Sequence, residues 1–100
     1  MANTFKNYTS TAATGGTTVY TVPNSTVAVA IGINLSNTTT SAKTASVQVG
    51  SVYLIKNVSL PAGASLSVLD GKLILEAADT LVVTASANSS VDVILSVLEQ

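Results

Sequence analysis

The chain has 100 residues, enough for one domain, with four Lys, five Asp or Glu and a formal net charge of −1. It contains no His, Cys, Trp or Arg, and only 9% of its residues are charged. Disulfides, thiolate metal centres and the usual nucleophile–base pairs are therefore excluded, and the four scattered lysines form no basic patch for nucleic acid.

Residues 1–16 read as a polar N-terminal arm that ends at the breaker pair Gly15-Gly16. The first ten residues lack the apolar h-region of a secretory signal. The arm is expected to be held either by a neighbouring subunit or by the surface of its own domain; Phe5 and Tyr8 are its rings and read as anchors for a neighbour's groove, since aromatic side chains dominate interface energetics. The domain proper is expected over residues 17–100.

A first strand is predicted over 17–22, stopped by Pro23-Asn24. The next, 26–35, alternates Val27, Val29, Ile31, Ile33 and Leu35 with Ala28, Ala30, Gly32 and Asn34. This period of two predicts a strand with the larger residues facing the core. Residues 36–43, with three consecutive threonines, read as a loop. Strands over 44–49 and 52–56 flank Gly50-Ser51, a type II′ hairpin signal because Gly accepts φ > 0 at the first turn position. The second of these runs on toward Leu60 and ends at Pro61-Ala62-Gly63.

Residues 64–69 and 72–76 flank Asp70-Gly71, a dipeptide that predicts a type I′ hairpin. Ala77-Ala78-Asp79 makes a corner, 80–86 a strand and Asn88-Ser89-Ser90 a turn. The last strand, 91–98, puts Val91, Val93, Leu95 and Val97 on one face. Val and Thr are abundant throughout, and branched side chains favour the pleated sheet. The prediction is an all-β chain: a single antiparallel β-sandwich of about seven to eight strands, immunoglobulin-like or jelly-roll-like.

The acidic residues suggest no chemistry. Asp70 is assigned to its turn, Glu99 to its place at the C-terminus, and Glu76 with Asp79 to a solvated corner. Calcium asks for six to eight oxygens from an acid-rich loop, and no such loop exists. The expectation is no enzyme, no cofactor and no metal. No stretch approaches the ~20 apolar residues of a membrane span, so no membrane partner is expected either. Tyr20 and Tyr53, on strands, read as core-edge residues with wet hydroxyls. Together with Phe5 and Tyr8 they are the candidate partner contacts. A receptor- or glycan-binding module would use such rings as a stacking platform.

Residues 53–66, Tyr-Leu-Ile-Lys-Asn-Val-Ser-Leu-Pro-Ala-Gly-Ala-Ser-Leu, and residues 70–81, Asp-Gly-Lys-Leu-Ile-Leu-Glu-Ala-Ala-Asp-Thr-Leu, resemble small virion structural proteins of tailed bacteriophages, of the kind carried by marine and cyanobacterial phages. The closing Val91-Asp92-Val93-Ile94-Leu95-Ser96-Val97-Leu98-Glu99 and the opening Thr18-Val19-Tyr20-Thr21-Val22-Pro23 are similar to them as well. At the corner, those proteins carry Gly before the aspartate where this chain has Ala78. The resemblance implies a β-sandwich built into the virion, as a capsid decoration (cement) protein stabilising the head shell against the major capsid protein, homo-oligomeric with a trimer favoured. A neck, tail or baseplate subunit is the alternative. On this reading the arm makes contacts outside its own sandwich, and removing residues 1–14 should leave a folded domain that binds particles poorly.

Overall fold

The computed structural model describes residues 3–69 and 71–100. These form nine strands: β1 (Thr4–Thr11), β2 (Thr17–Thr21), β3 (Ala28–Asn37), β4 (Lys43–Val49), β5 (Val52–Leu60), β6 (Ser65–Ser67), β7 (Leu73–Leu75), β8 (Thr80–Ala85) and β9 (Val91–Glu99). The first sheet has the order β1-β9-β3-β6, with β7 also paired to β3, and the second has the order β2-β8-β4-β5. All the strand pairs are antiparallel.

The pairing is nested. β1 joins β9, β2 joins β8, β3 joins β6 and β7, and β4 joins β5. This is one long hairpin, bent at Gly50-Ser51 and rolled so that successive pairs fall alternately in two sheets. It is the winding of a jelly roll, and it resolves the two sandwich types that the strand pattern left open. At the bend, Gly50 takes φ 59, the left-handed conformation that a type II′ turn requires of its first central residue.

The core lies between the inner faces. β9 contributes Val91, Val93, Leu95 and Val97, all nearly inaccessible, and β8 contributes Leu81, Val83 and Ala85. Both follow the expected alternation. β3 does not keep a single parity. A bulge between Ala30 and Gly32 inserts Ile31 into the ladder with β9, so the buried residues are Ala28 and Ala30 before it and Ile33 and Leu35 after it. The expectation that Val27, Val29 and Ile31 face the core is thus corrected. An extra residue in one strand reverses which side chains point inward beyond it, and Val27 and Ile31 are instead exposed.

Two further expectations are corrected. β6 and β7 do not pair with each other; both run antiparallel to β3, against residues 34–36 and 28–30. They therefore run in the same direction along one edge and do not form a hairpin with each other. Asp70 itself lies outside the described residues. The expected arm, in turn, is over Thr4–Thr11 an edge strand in unbroken register with β9, and the chain does not divide at residue 16. Ala12 is buried and its amide donates to the Val91 carbonyl at 2.8 Å, so the segment after β1 is docked as well. A polar strand needs no large apolar anchor when a neighbouring strand meets its backbone groups. Adding β1 to the eight predicted segments brings the count to nine.

Asn37, at the end of β3, is 2% exposed and fully bonded. Its side-chain amide donates to the carbonyls of Ser41 and Leu60, each at 2.9 Å, and its Oδ1 accepts from the amide and hydroxyl of Thr39. The 38–42 connection is thereby tied to the end of β5.

At the corner before β8, Ala78 has φ 70, a conformation that costs an L-residue about 1–2 kcal/mol and Gly almost nothing. The corner is held by the Ala78 amide donating to the Val22 carbonyl and by the Asp79 carboxylate accepting from the Glu76 amide. Ala78→Gly is therefore expected to stabilise the fold by about 0.5–1 kcal/mol, after the greater unfolded-state entropy of Gly is deducted; urea denaturation measures it. A chain starting at Ala12 would expose the whole hydrogen-bonding edge of β9. It is expected to aggregate rather than persist as a folded domain, which light scattering during expression and purification would reveal.

Candidate functional site

Four polar side chains converge where β1, β2 and β9 meet. Inward parity along β9 runs through Val97 to Glu99, a residue only 9% exposed. Tyr20 of β2 donates its hydroxyl to Glu99 Oε2 at 2.5 Å, and Tyr8 of β1 donates to the same oxygen at 3.0 Å. Lys6 Nζ lies 3.2 Å from Oε1. The two tyrosine rings pack with centroids 4.5 Å apart and planes tilted by 31°. The cluster thus closes the sandwich at its open side, joining an edge strand of each sheet to β9.

Each titratable group is shifted for a definite reason. The Tyr20 hydroxyl holds the Glu99 carboxyl below its ordinary value of 4.5, with Tyr8 and Lys6 reinforcing it and burial opposing. Burial first, then the bond to Glu99, raises the phenols of Tyr8 and Tyr20 above 10.0. The bond to Glu99 raises Lys6 above 10.5. This is an anionic acceptor satisfied by three donors, an arrangement that fixes strands. A general base would need an ionised group free to accept a substrate proton, and this carboxylate already meets two phenols and an ammonium. No group of three or more metal-ligating side chains occurs among the described residues.

The four rings singled out in the sequence separate. Phe5 stands on the outer face of the first sheet, 73% exposed. Tyr8 is half-buried against the core, and Tyr20 is buried with its hydroxyl on Glu99. Tyr20 is accordingly removed from the partner contacts and from any stacking platform; its hydroxyl is not wet. Tyr53 is exposed on edge strand β5, with Lys56 Nζ 5.1 Å from its ring centroid. Glu99 was missed as an organising group. The signal was present, because residue 99 continues the buried parity of 91, 93, 95 and 97.

Also missed is an apolar row across the outer face of the first sheet. Phe5 opposes Leu98, Leu98 opposes Val29, and Val29 opposes Ile74. Phe5 and Ile74, at its two ends, are 73% and 67% exposed. The row joins residues 24 to 93 positions apart in sequence, so only the register reveals it. On the second sheet, Val52, Tyr53 and Leu54 expose a second apolar patch along β5.

The cluster sets a pH window for stability. Glu99 is depressed, so its contribution is present above the ordinary carboxylate value of 4.5 and is lost as pH falls through its lower folded value. Tyr20 is raised, so its contribution is present below 10.0 and is lost as pH climbs from there toward its folded value. The melting temperature is expected to be flat between these limits and to fall on both sides. Glu99→Gln should flatten the acid limb and Tyr20→Phe the alkaline one, as thermal melts across pH would record.

No protein-family model matches the sequence, and no curated protein does. Among solved structures, a chain described under Bacillus endospore appendages, a novel family of disulfide-linked pili, superposes with a TM-score of 0.58 at 17% identity. The match covers 98% of this chain and 85% of that one. At that identity the likeness is one of fold, and it agrees with the two-sheet sandwich.

Proposed function

We propose that this chain is a structural subunit of a tailed-phage virion, most specifically a decoration protein that stabilises the head shell through protein–protein contacts. The observation that carries the structural role is the pair of exposed apolar patches on opposite sheets: the row from Phe5 to Ile74, and Val52, Tyr53 and Leu54 on β5. Exposed apolar patches of this kind mark surfaces that other molecules cover. An apolar row on one sheet and exposed apolar residues along an edge of the other suit a subunit with more than one neighbour, and scarce charge suits the centre of an interface. The endospore appendage chain is a precedent for a similar fold in a pilus. That protein is described as disulfide-linked, whereas this chain has no Cys, so disulfides do not join it to its neighbours.

The phage particle enters through the resemblance of residues 53–66, 70–81 and 91–99. A neck, tail or baseplate position is the second reading, since the same surfaces would serve in a ring. Copy number in purified particles separates the two: a number matching the capsomers of the shell supports decoration, and one matching a single ring supports neck or tail. Absence of the chain from particles overturns both. Tyr53→Glu, at an exposed site, is expected to leave the melting temperature unchanged and to lower occupancy on particles at least ten-fold, measured by quantitative mass spectrometry.

A further inference from the structure

The outer face of the first sheet carries a projecting apolar side chain, Phe5, toward one end and an open depression toward the other. Its middle row is Asn7–Ser96–Gly32, where the Ser96 hydroxyl donates to Asn7 Oδ1 at 2.7 Å. A Cβ placed on Gly32 would meet nothing within 4 Å, so the surface there is open. Ile31, turned out by the bulge, stands beside it, 44% exposed. Two residues along the strands in one direction lies the pair Phe5–Leu98, and two residues in the other lies Thr9–Ile94. Phe5 projects into solvent. Thr9, Thr11, Asp92 and Ile94 border an open depression of about 340 Å³, where the Thr11 hydroxyl donates to Asp92 Oδ1 at 3.0 Å.

A half-turn about an axis lying in the face, along the middle row, exchanges the two ends of the strands. It sets Phe5 of one copy over the depression of the other, Leu98 over Ile94, Val29 over Asn34 and Ile74 over Ser67. This is the reciprocal matching of an isologous contact, in which residues on the axis meet their own counterparts and those off it exchange partners. Charge permits it. Among the paired residues of that face the only charged side chain is Asp92. The rotation leaves the two copies of Asp92 about 27 Å apart at ~3.4 Å per residue, well beyond the Debye length of about 8 Å. The area is sufficient as well. Four strands spaced about 4.8 Å apart over some eight residues present roughly 500 Å² per copy, or about 1,000 Å² together, at the lower limit for a specific interface.

We propose that this face pairs with the same face of a second copy of the chain, in a two-fold contact whose axis follows Asn7–Ser96–Gly32 and in which Phe5 fills the depression beside Thr9 and Ile94. The pairing rests on the structural-subunit reading and deepens it, leaving the β5 patch for the particle.

Sedimentation velocity of the full chain tests it. A monomer–dimer equilibrium in the micromolar range is expected, about −8 kcal/mol at a Kd of 1 μM. Phe5→Ala and Thr9→Arg, both at exposed positions, should each weaken it at least ten-fold with unchanged melting temperature, while Gln48→Ala on the second sheet should not. A chain that stays monomeric up to about 200 μM, well above that Kd, overturns the pairing, as does a dimer indifferent to both substitutions. Should Thr9→Arg fail to fold, Phe5→Ala alone decides. A monomer that still occupies particles removes this inference and leaves the virion reading standing; a dimer absent from particles does the reverse.

Discussion

The first sheet depends on the strict alternation of β9. This strand has a neighbour on each side, β1 and β3, and its inward residues run without a break from Val91 to Glu99. Because the side-chain period is two, that one strand sets which residues of both neighbours face the core. The same parity sends Ile94, Ser96 and Leu98 outward and so lays down the surface on which contacts with other subunits are proposed. Core and candidate interface are two sides of one alternation.

Glu99 ends this series with a charge where the pattern calls for an apolar residue. An unpaired carboxylate at such a position would carry a heavy desolvation cost. Here two phenols and one ammonium meet it, and each comes from an element other than its own strand. The polar β1 gains an anchor that its side chains could not obtain by apolar burial, since most of them are exposed. Asn37 plays the corresponding part at the other end of the sandwich, tying a loop to β5 with every side-chain atom satisfied. The fold thus uses its few buried polar groups to hold edges and connections, the places where hydrophobic packing is thinnest.

The bulge at Ile31 links packing to surface. Without it, β3 would bury either its large residues or its small ones along its whole length. With it, Ala28 and Ala30 face inward near Leu75, while Ile33 and Leu35 fill the middle of the core. The apolar residues displaced outward become part of an exposed face rather than of the core. A sandwich of 100 residues thereby leaves large apolar side chains in solvent on both sheets, which suits a subunit whose final environment is other protein.

Local alternation and turn chemistry were enough to place nearly every strand, the Gly50-Ser51 bend, the buried face of β9 and the all-β class. Those properties depend on a residue and its immediate neighbours, and the sequence by itself determines them. The tertiary structure decided the rest. It made residues 4–11 a strand, because β9 offered an edge that no local signal in the polar segment announces. It reversed the face of β3 through an inserted residue, and it ran β6 and β7 in the same direction because β3 pairs with both. It chose the jelly roll over the immunoglobulin-like order, a matter of which distant strands meet. It also assembled the Glu99 cluster and the row from Phe5 to Ile74, whose members lie far apart in sequence. Each of these depends on long-range register, and register is settled only when two sheets close on a common core.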